Sequence, residues 1–164
     1  MRQHREYREV LGKEVPKDFA KFREMKYNEG ERFGFIKLDY SRRNKLITHP
    51  ELKLPNAEKA ILPEGKFTRY LLGGSNERGL AKGRAISDRL GYDLSNWKEF
   101  RREIAQGALR YPVTEKGNTE FGQKYEQKMI LYGKLRTPAN VVVGWLLKPD
   151  GSINLTSAYI KEVD

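Results

Sequence analysis

Residues 137–163, TPANVVVGWLLKPDGSINLTSAYIKEV, constrain the fold more than any other stretch. Residues 140–147 are apolar and β-branched, which suits a strand buried on both faces. Lys148-Pro149-Asp150-Gly151 is turn chemistry, because proline presets φ and Gly151 can take φ > 0. Residues 152–162 then form the returning strand. That strand carries Thr156, Ser157 and Tyr159, three hydroxyls where a plain core strand would carry valine and isoleucine. Alternation places Ile153, Leu155, Ser157 and Tyr159 on one face, and Asn154, Thr156, Ala158 and Ile160 on the other. The apolar phase switches between Leu155 and Ala158, which predicts a bulge or a segment that faces a site. An edge strand with exposed hydroxyls and a packed tyrosine is the competing reading.

The chain before this hairpin reads as helices. Residues 1–53 hold 14 Lys and Arg against 9 Asp and Glu, with little apolar content. They read as a helical arm or linker that docks on something else. Gly12 stops a first helix, Pro16 suits the first turn of a second, and Phe19, Phe22 and Met25 form its narrow stripe. Residues 29–45 are helical or irregular. Pro55 and Asn56 mark a boundary, so that 54–164 forms the second unit. Within it, residues 64–72 predict a helix with Phe67, Tyr70 and Leu71 on one side. A further helix over 76–90, capped by Ser75, turns Leu80, Ile86 and Leu90 inward and Arg78, Lys82, Arg84 and Arg89 outward. Asn96 and Glu99 resemble a capping box for a helix whose stripe is Trp97, Phe100, Ile104 and Ala108. Residues 113–122 read as a polar loop and 123–132 as a strand. The predicted class is α+β: helices packed on an antiparallel sheet of three or more strands ending in a hairpin.

Charge and composition narrow the chemistry. A formal net charge of +10 favours polyanions, nucleic acid first among them, although a basic surface can serve solubility alone. The chain has no cysteine, so disulfide and thiolate chemistry are excluded. With only His4 and His49, a histidine-based zinc site is not expected. No run is apolar enough to span a bilayer, and the charged start is no signal peptide, which predicts a cytosolic protein, or one carried in a particle assembled in the cytosol, and no membrane partner. GxGxxG, Walker A and HExxH patterns are absent, and no cofactor is expected. Metal-free RNA cleavage remains open. It needs a base for the 2′-hydroxyl, donors for the developing charge and an acid for the leaving oxygen. Lys82 lies one helical turn from Arg78, and Lys66 one turn from Tyr70. Lysine and arginine on helices are more often merely solvated, as are Lys124 and Glu126 unless their strand borders the site. His49 is a candidate base or an exposed linker residue.

Two stretches resemble known families. The pattern KFTRYLL, GLAKGRAISDRLGY, YEQKMILYG, TPANVVVGWLLKPDG and NLTSAY is similar to an uncharacterised bacterial and phage domain family. Its ending resembles the T-x-Y strand of toxin nucleases of the barnase/EndoU/colicin/RelE-like group. Residues 7–33 resemble the C-terminal region of phage minor head proteins of the Mu gpF-like kind. The resemblance implies a toxin domain that cleaves RNA without metal, tRNA being one candidate substrate, with an acidic immunity protein and phage capsid components as partners. It assigns catalysis to Lys66, Lys82, Thr156, Ser157 and Tyr159, and nucleic-acid binding to Arg78, Arg84, Arg89 and Lys124. The histidine used by many EndoU-like members has no counterpart within 54–164. The alternative is a non-enzymatic basic domain of a phage head protein that binds nucleic acid or capsid subunits.

Overall fold

The computed structural model describes residues 1–73 and 77–163, and among them helices precede an antiparallel sheet, an α+β fold as the sequence predicts. The α-helices are α1 (Arg2–Leu11), α2 (Phe19–Asn28), α3 (Gly30–Thr48), α4 (Glu77–Leu90) and α5 (Trp97–Ala108). The strands are β1 (Val113–Thr119), β2 (Gly122–Leu131), β3 (Ala139–Leu147) and β4 (Ile153–Ile160). They pair in the order β1-β2-β3-β4, a meander. The β3–β4 turn is as predicted, with Gly151 at φ 87°.

Several local expectations change. Residues 113–122 form β1 and its turn rather than a loop. The strand is an edge whose residues after Val113 are all exposed, so no apolar alternation marks it in the sequence. Residues 29–45 resolve as the long helix α3. Pro16 stands ahead of α2, which is capped instead by Asp18, whose Oδ1 accepts from Ala20 N at 2.9 Å. Lys66–Leu71 winds as a π-helix, so Phe67 and Leu71 are buried while Tyr70 is 66% exposed. Leu80 is also exposed, whereas Ile86 and Leu90 are buried. The predicted cap at Ser75 and start at Asn76 lie outside the described residues. Asn96 makes no side-chain cap for α5; its Oδ1 accepts from Asp93 N and its Nδ2 donates to Gly91 O, so it braces the preceding loop.

Each face of the sheet has its own core. On one face, Met129, Val141, Val143, Trp145, Leu155 and Ala158 pack against Phe67, Ile86, Leu90, Phe100 and Ile104. Gln127 is buried there without loss, because its Nε2 donates to Tyr111 O at 2.7 Å and its Oε1 accepts from Trp145 Nε1 at 3.0 Å. On the other face, Ile130 of β2 and Tyr132 just after it join Tyr7, Leu11, Phe22, Met25, Phe33 and Ile36 of α1–α3. The first three helices thus dock on the sheet of their own chain. A buried polar clasp fixes them. Asp39 of α3 is fully buried and accepts from Tyr111 and Tyr132 hydroxyls, each at 2.5 Å, and from Arg43 Nε at 2.9 Å. Burial first, then the Asp39 charge, raises the pKa of both tyrosines well above the ordinary range.

Candidate functional site

The three helices cover only part of their sheet face. Past Ile130 and Asn140 that face stays open, and alternation decides what stands on it. Lys128, Glu126 and Lys124 of β2 pair with Val142, Gly144 and Leu146 of β3. Those in turn pair with Tyr159, Ser157 and Asn154 of β4. The result is a cross-strand grid that sets one carboxylate, two lysines and two hydroxyls around a central glycine. A groove of about 680 Å³ lies over it, lined by Lys124, Glu126, Gly144, Thr156, Ser157 and Tyr159 and rimmed by Phe121 and Lys116.

The phase switch in β4 is a β-bulge. Gly144 pairs with Ser157, yet its neighbour Trp145 pairs with Leu155, leaving Thr156 as the extra residue. A bulge places two residues opposite one and turns the strand locally. Here it brings the Thr156 side chain to the side that Ser157 occupies. A Cβ built on Gly144 would lie 2.7 Å from Ser157 Oγ and 2.8 Å from Thr156 Oγ1. Both hydroxyls therefore converge over the one position of β3 that has no side chain. Across from them stands Glu126, about 10 Å from Ser157 in Cα terms at two strand spacings. The Glu126 side chain is 28% exposed, and its carboxylate lies 3.8 Å from Lys116 Nζ.

The predicted residues fall into two groups. Thr156, Ser157, Tyr159 and Lys124 line the groove, whereas Lys82 of α4 is not part of the lining and stands 5.0 Å from the Tyr159 ring centroid. Lys66 lies instead against Tyr70, 5.2 Å from its ring centroid, and does not line the groove. Arg78 and Arg84 are exposed on α4, also away from the lining. Arg89 is engaged structurally: its Nη2 donates to Pro138 O at 2.7 Å and its guanidinium lies over Phe35. His49 closes α3, with Nδ1 2.9 Å from Thr48 Oγ1, and takes no part in the groove.

Sequence reasoning left out Gly144 and the pairing of Glu126 with it. The signal was present: a glycine inside the apolar run VVVGW marks close approach by another group. Among the described residues, no three His, Cys, Asp or Glu side chains gather in a way that could hold a metal ion. No helix among them is long and apolar enough to cross a membrane. The arrangement can accept a proton at Glu126, donate hydrogen bonds from three hydroxyls and present cations at its rims.

A family described as a domain of unknown function, DUF6883, matches residues 53–162. No curated protein matches the sequence. Among solved structures, a chain of a contact-dependent growth inhibition toxin–immunity protein complex from Klebsiella pneumoniae 342 has a similar fold. The TM-score is 0.51 at 15% identity, and the similarity covers 62% of this chain and 100% of that one.

Proposed function

The chain belongs to the DUF6883 family, and from that premise we propose that it is a toxin-like ribonuclease domain that cleaves RNA without a metal. The observation that carries this reading is the convergence of the Thr156 and Ser157 hydroxyls over Gly144, directly across from Glu126. Glu126 takes the proton of a ribose 2′-hydroxyl. The 2′-oxygen bonds to the adjacent phosphorus, and the bond from phosphorus to the 5′-oxygen breaks. Tyr159 gives its proton to that leaving oxygen, so the products are a 2′,3′-cyclic phosphate and a free 5′-hydroxyl. Thr156 and Ser157 hold the non-bridging oxygens, Lys124 supplies positive charge within the groove, and Lys82 adds charge from beside the Tyr159 ring. Phe121, 67% exposed at the β1–β2 turn, offers a face on which a base can stack.

The fold shared with a chain of a toxin–immunity protein complex supports an acidic immunity protein as a partner in this reading. The resemblance of residues 7–33 to phage minor head proteins supports a phage or prophage origin, with capsid components as further partners and the bacterial cytoplasm or virion as its location. The test is incubation with tRNA and mRNA in EDTA, wild type beside Glu126→Gln and Thr156→Ala. The reading expects cyclic-phosphate ends from wild type and a loss of roughly 100-fold or more in Glu126→Gln. Folded wild type that binds RNA and leaves it intact would instead favour a non-enzymatic nucleic-acid-binding domain, which the net charge of +10 also supports.

A further inference from the structure

The groove does not end at Glu126. A second cleft of about 650 Å³ shares Tyr125 and Glu126 with it and runs on between β1–β2 and the C-terminal half of α3. We infer that this cleft is a second polyanion subsite, built jointly by the helical arm and the sheet, that holds the part of a single-stranded polynucleotide lying beyond the reactive phosphate. The inference rests on the ribonuclease reading for its ligand class.

The charges decide the ligand. Arg42, Lys45 and Lys128 line the cleft and make no ion pair among the described residues. Lys128 stands on the same sheet face as Glu126, two residues along β2. Lys45 comes from α3, one turn beyond Arg42. Arg42 is held in place by Asn140, whose Oδ1 accepts from its Nη1 at 2.7 Å. Two further charges of the lining are already partnered: Lys53 with Glu58 and Glu126 with Lys116. Glu51 and Glu115 remain, and Glu115 pairs with Tyr125, which puts it on the opposite pleat from Lys128. Three cations without an ion pair among the described residues thus line a cleft that shares Glu126 with the groove carrying Lys124. Backbone phosphates at regular intervals match such a row, and each neutralised phosphate releases counterion.

Fluorescein-labelled single-stranded DNA of 4 and 12 nucleotides tests this, since DNA lacks the 2′-hydroxyl and survives the assay. The full-length protein is titrated by anisotropy across a salt series, beside Lys45→Ala/Lys128→Ala and a distant control, Lys21→Ala. The inference expects the 12-mer to bind at least tenfold tighter than the 4-mer at low salt. In the double variant that length advantage collapses, and the slope of log K against log salt falls by about 1.4, at about 0.7 per single-strand phosphate. Lys21→Ala behaves as wild type. Equal binding of both lengths, or a length advantage that survives the double substitution, overturns the subsite while leaving RNA cleavage intact. Length-dependent DNA binding without any RNA cleavage overturns the ribonuclease reading and leaves the subsite standing.

Discussion

Gly144→Ala probes the geometry of the groove without presuming any activity. The added Cβ would lie 2.7 Å from Ser157 Oγ and 2.8 Å from Thr156 Oγ1, closer than such atoms can approach. The third nearest atom, Ser157 N, is 3.8 Å away, so the conflict is with the two hydroxyls alone. Ser157 can rotate aside. Thr156 is β-branched and has fewer options. The cost therefore belongs at the lower end of the overpacking range, about 1–2 kcal/mol. For a chain of this size that lowers Tm by about 2–8 °C. The decisive comparison is a double-mutant cycle by thermal and urea unfolding. In a Thr156→Ala/Ser157→Ala background both oxygens are gone, and Gly144→Ala should cost nothing or stabilise by about 0.4–1 kcal/mol through the unfolded chain. A coupling energy near zero would show that the hydroxyls do not share that space, and the proposed site would lose its basis.

Three further outcomes concern the arm, its clasp and the buried tyrosines. Asp39→Ala leaves Arg43 buried without its partner and should cost about 3–5 kcal/mol in urea unfolding. Tyr92, Tyr111 and Tyr132 all have pKa values raised, chiefly by burial, above the ordinary 10.0. Their neutral forms are favoured by folding, so that stability is fully present below pH 10.0 and declines as pH rises beyond it; unfolding free energies at pH 8, 10 and 11 check this, and a flat profile would contradict it. Residues 54–164 expressed alone should be less stable, with about 1.5–3 kcal/mol lost from uncovering Ile130.

The hairpin was readable because its determinants are local: an apolar run, a Pro-Asp-Gly turn and a phase switch that a bulge explains. Helix α5 was readable from its stripe for the same reason. β1 was not, since an exposed edge strand owes its shape to the backbone of β2 rather than to its own side chains. The site shows the same division. Thr156, Ser157 and Tyr159 stood out as hydroxyls in a core-like strand, whereas Glu126 looks like any exposed strand residue until register sets it opposite Gly144. Pairing across three strands is a non-local fact, and one sequence carries no direct record of it. The arm's docking is hidden likewise. Its stripe of Phe22, Met25, Phe33 and Ile36 is visible, but the partner residues Ile130 and Tyr132 are a hundred positions away.

The arm and the groove divide one sheet face between them, and that division has a physical consequence. β2 has no helix of its own on this side, so the apolar Ile130 and Tyr132 need a cover, while Lys124, Glu126 and Lys128 need water or a charged ligand. The transition occurs within two residues of one strand. The Asp39 clasp stands at the covered end, tied through Tyr132 to the chain one residue past β2 and to the loop before β1 through Tyr111. It fixes α3 in register with the sheet, and Arg42 and Lys45 then line one cleft with Lys128 and Glu126. A buried charge is an expensive way to hold two packed layers together, because apolar residues of similar volume serve as well. Its directional bonds supply something a greasy contact does not, a single relative position of helix and strand. A trough whose walls come from both layers needs such a fixed position, and that gives the fully buried carboxylate a role beside the apolar core of the arm.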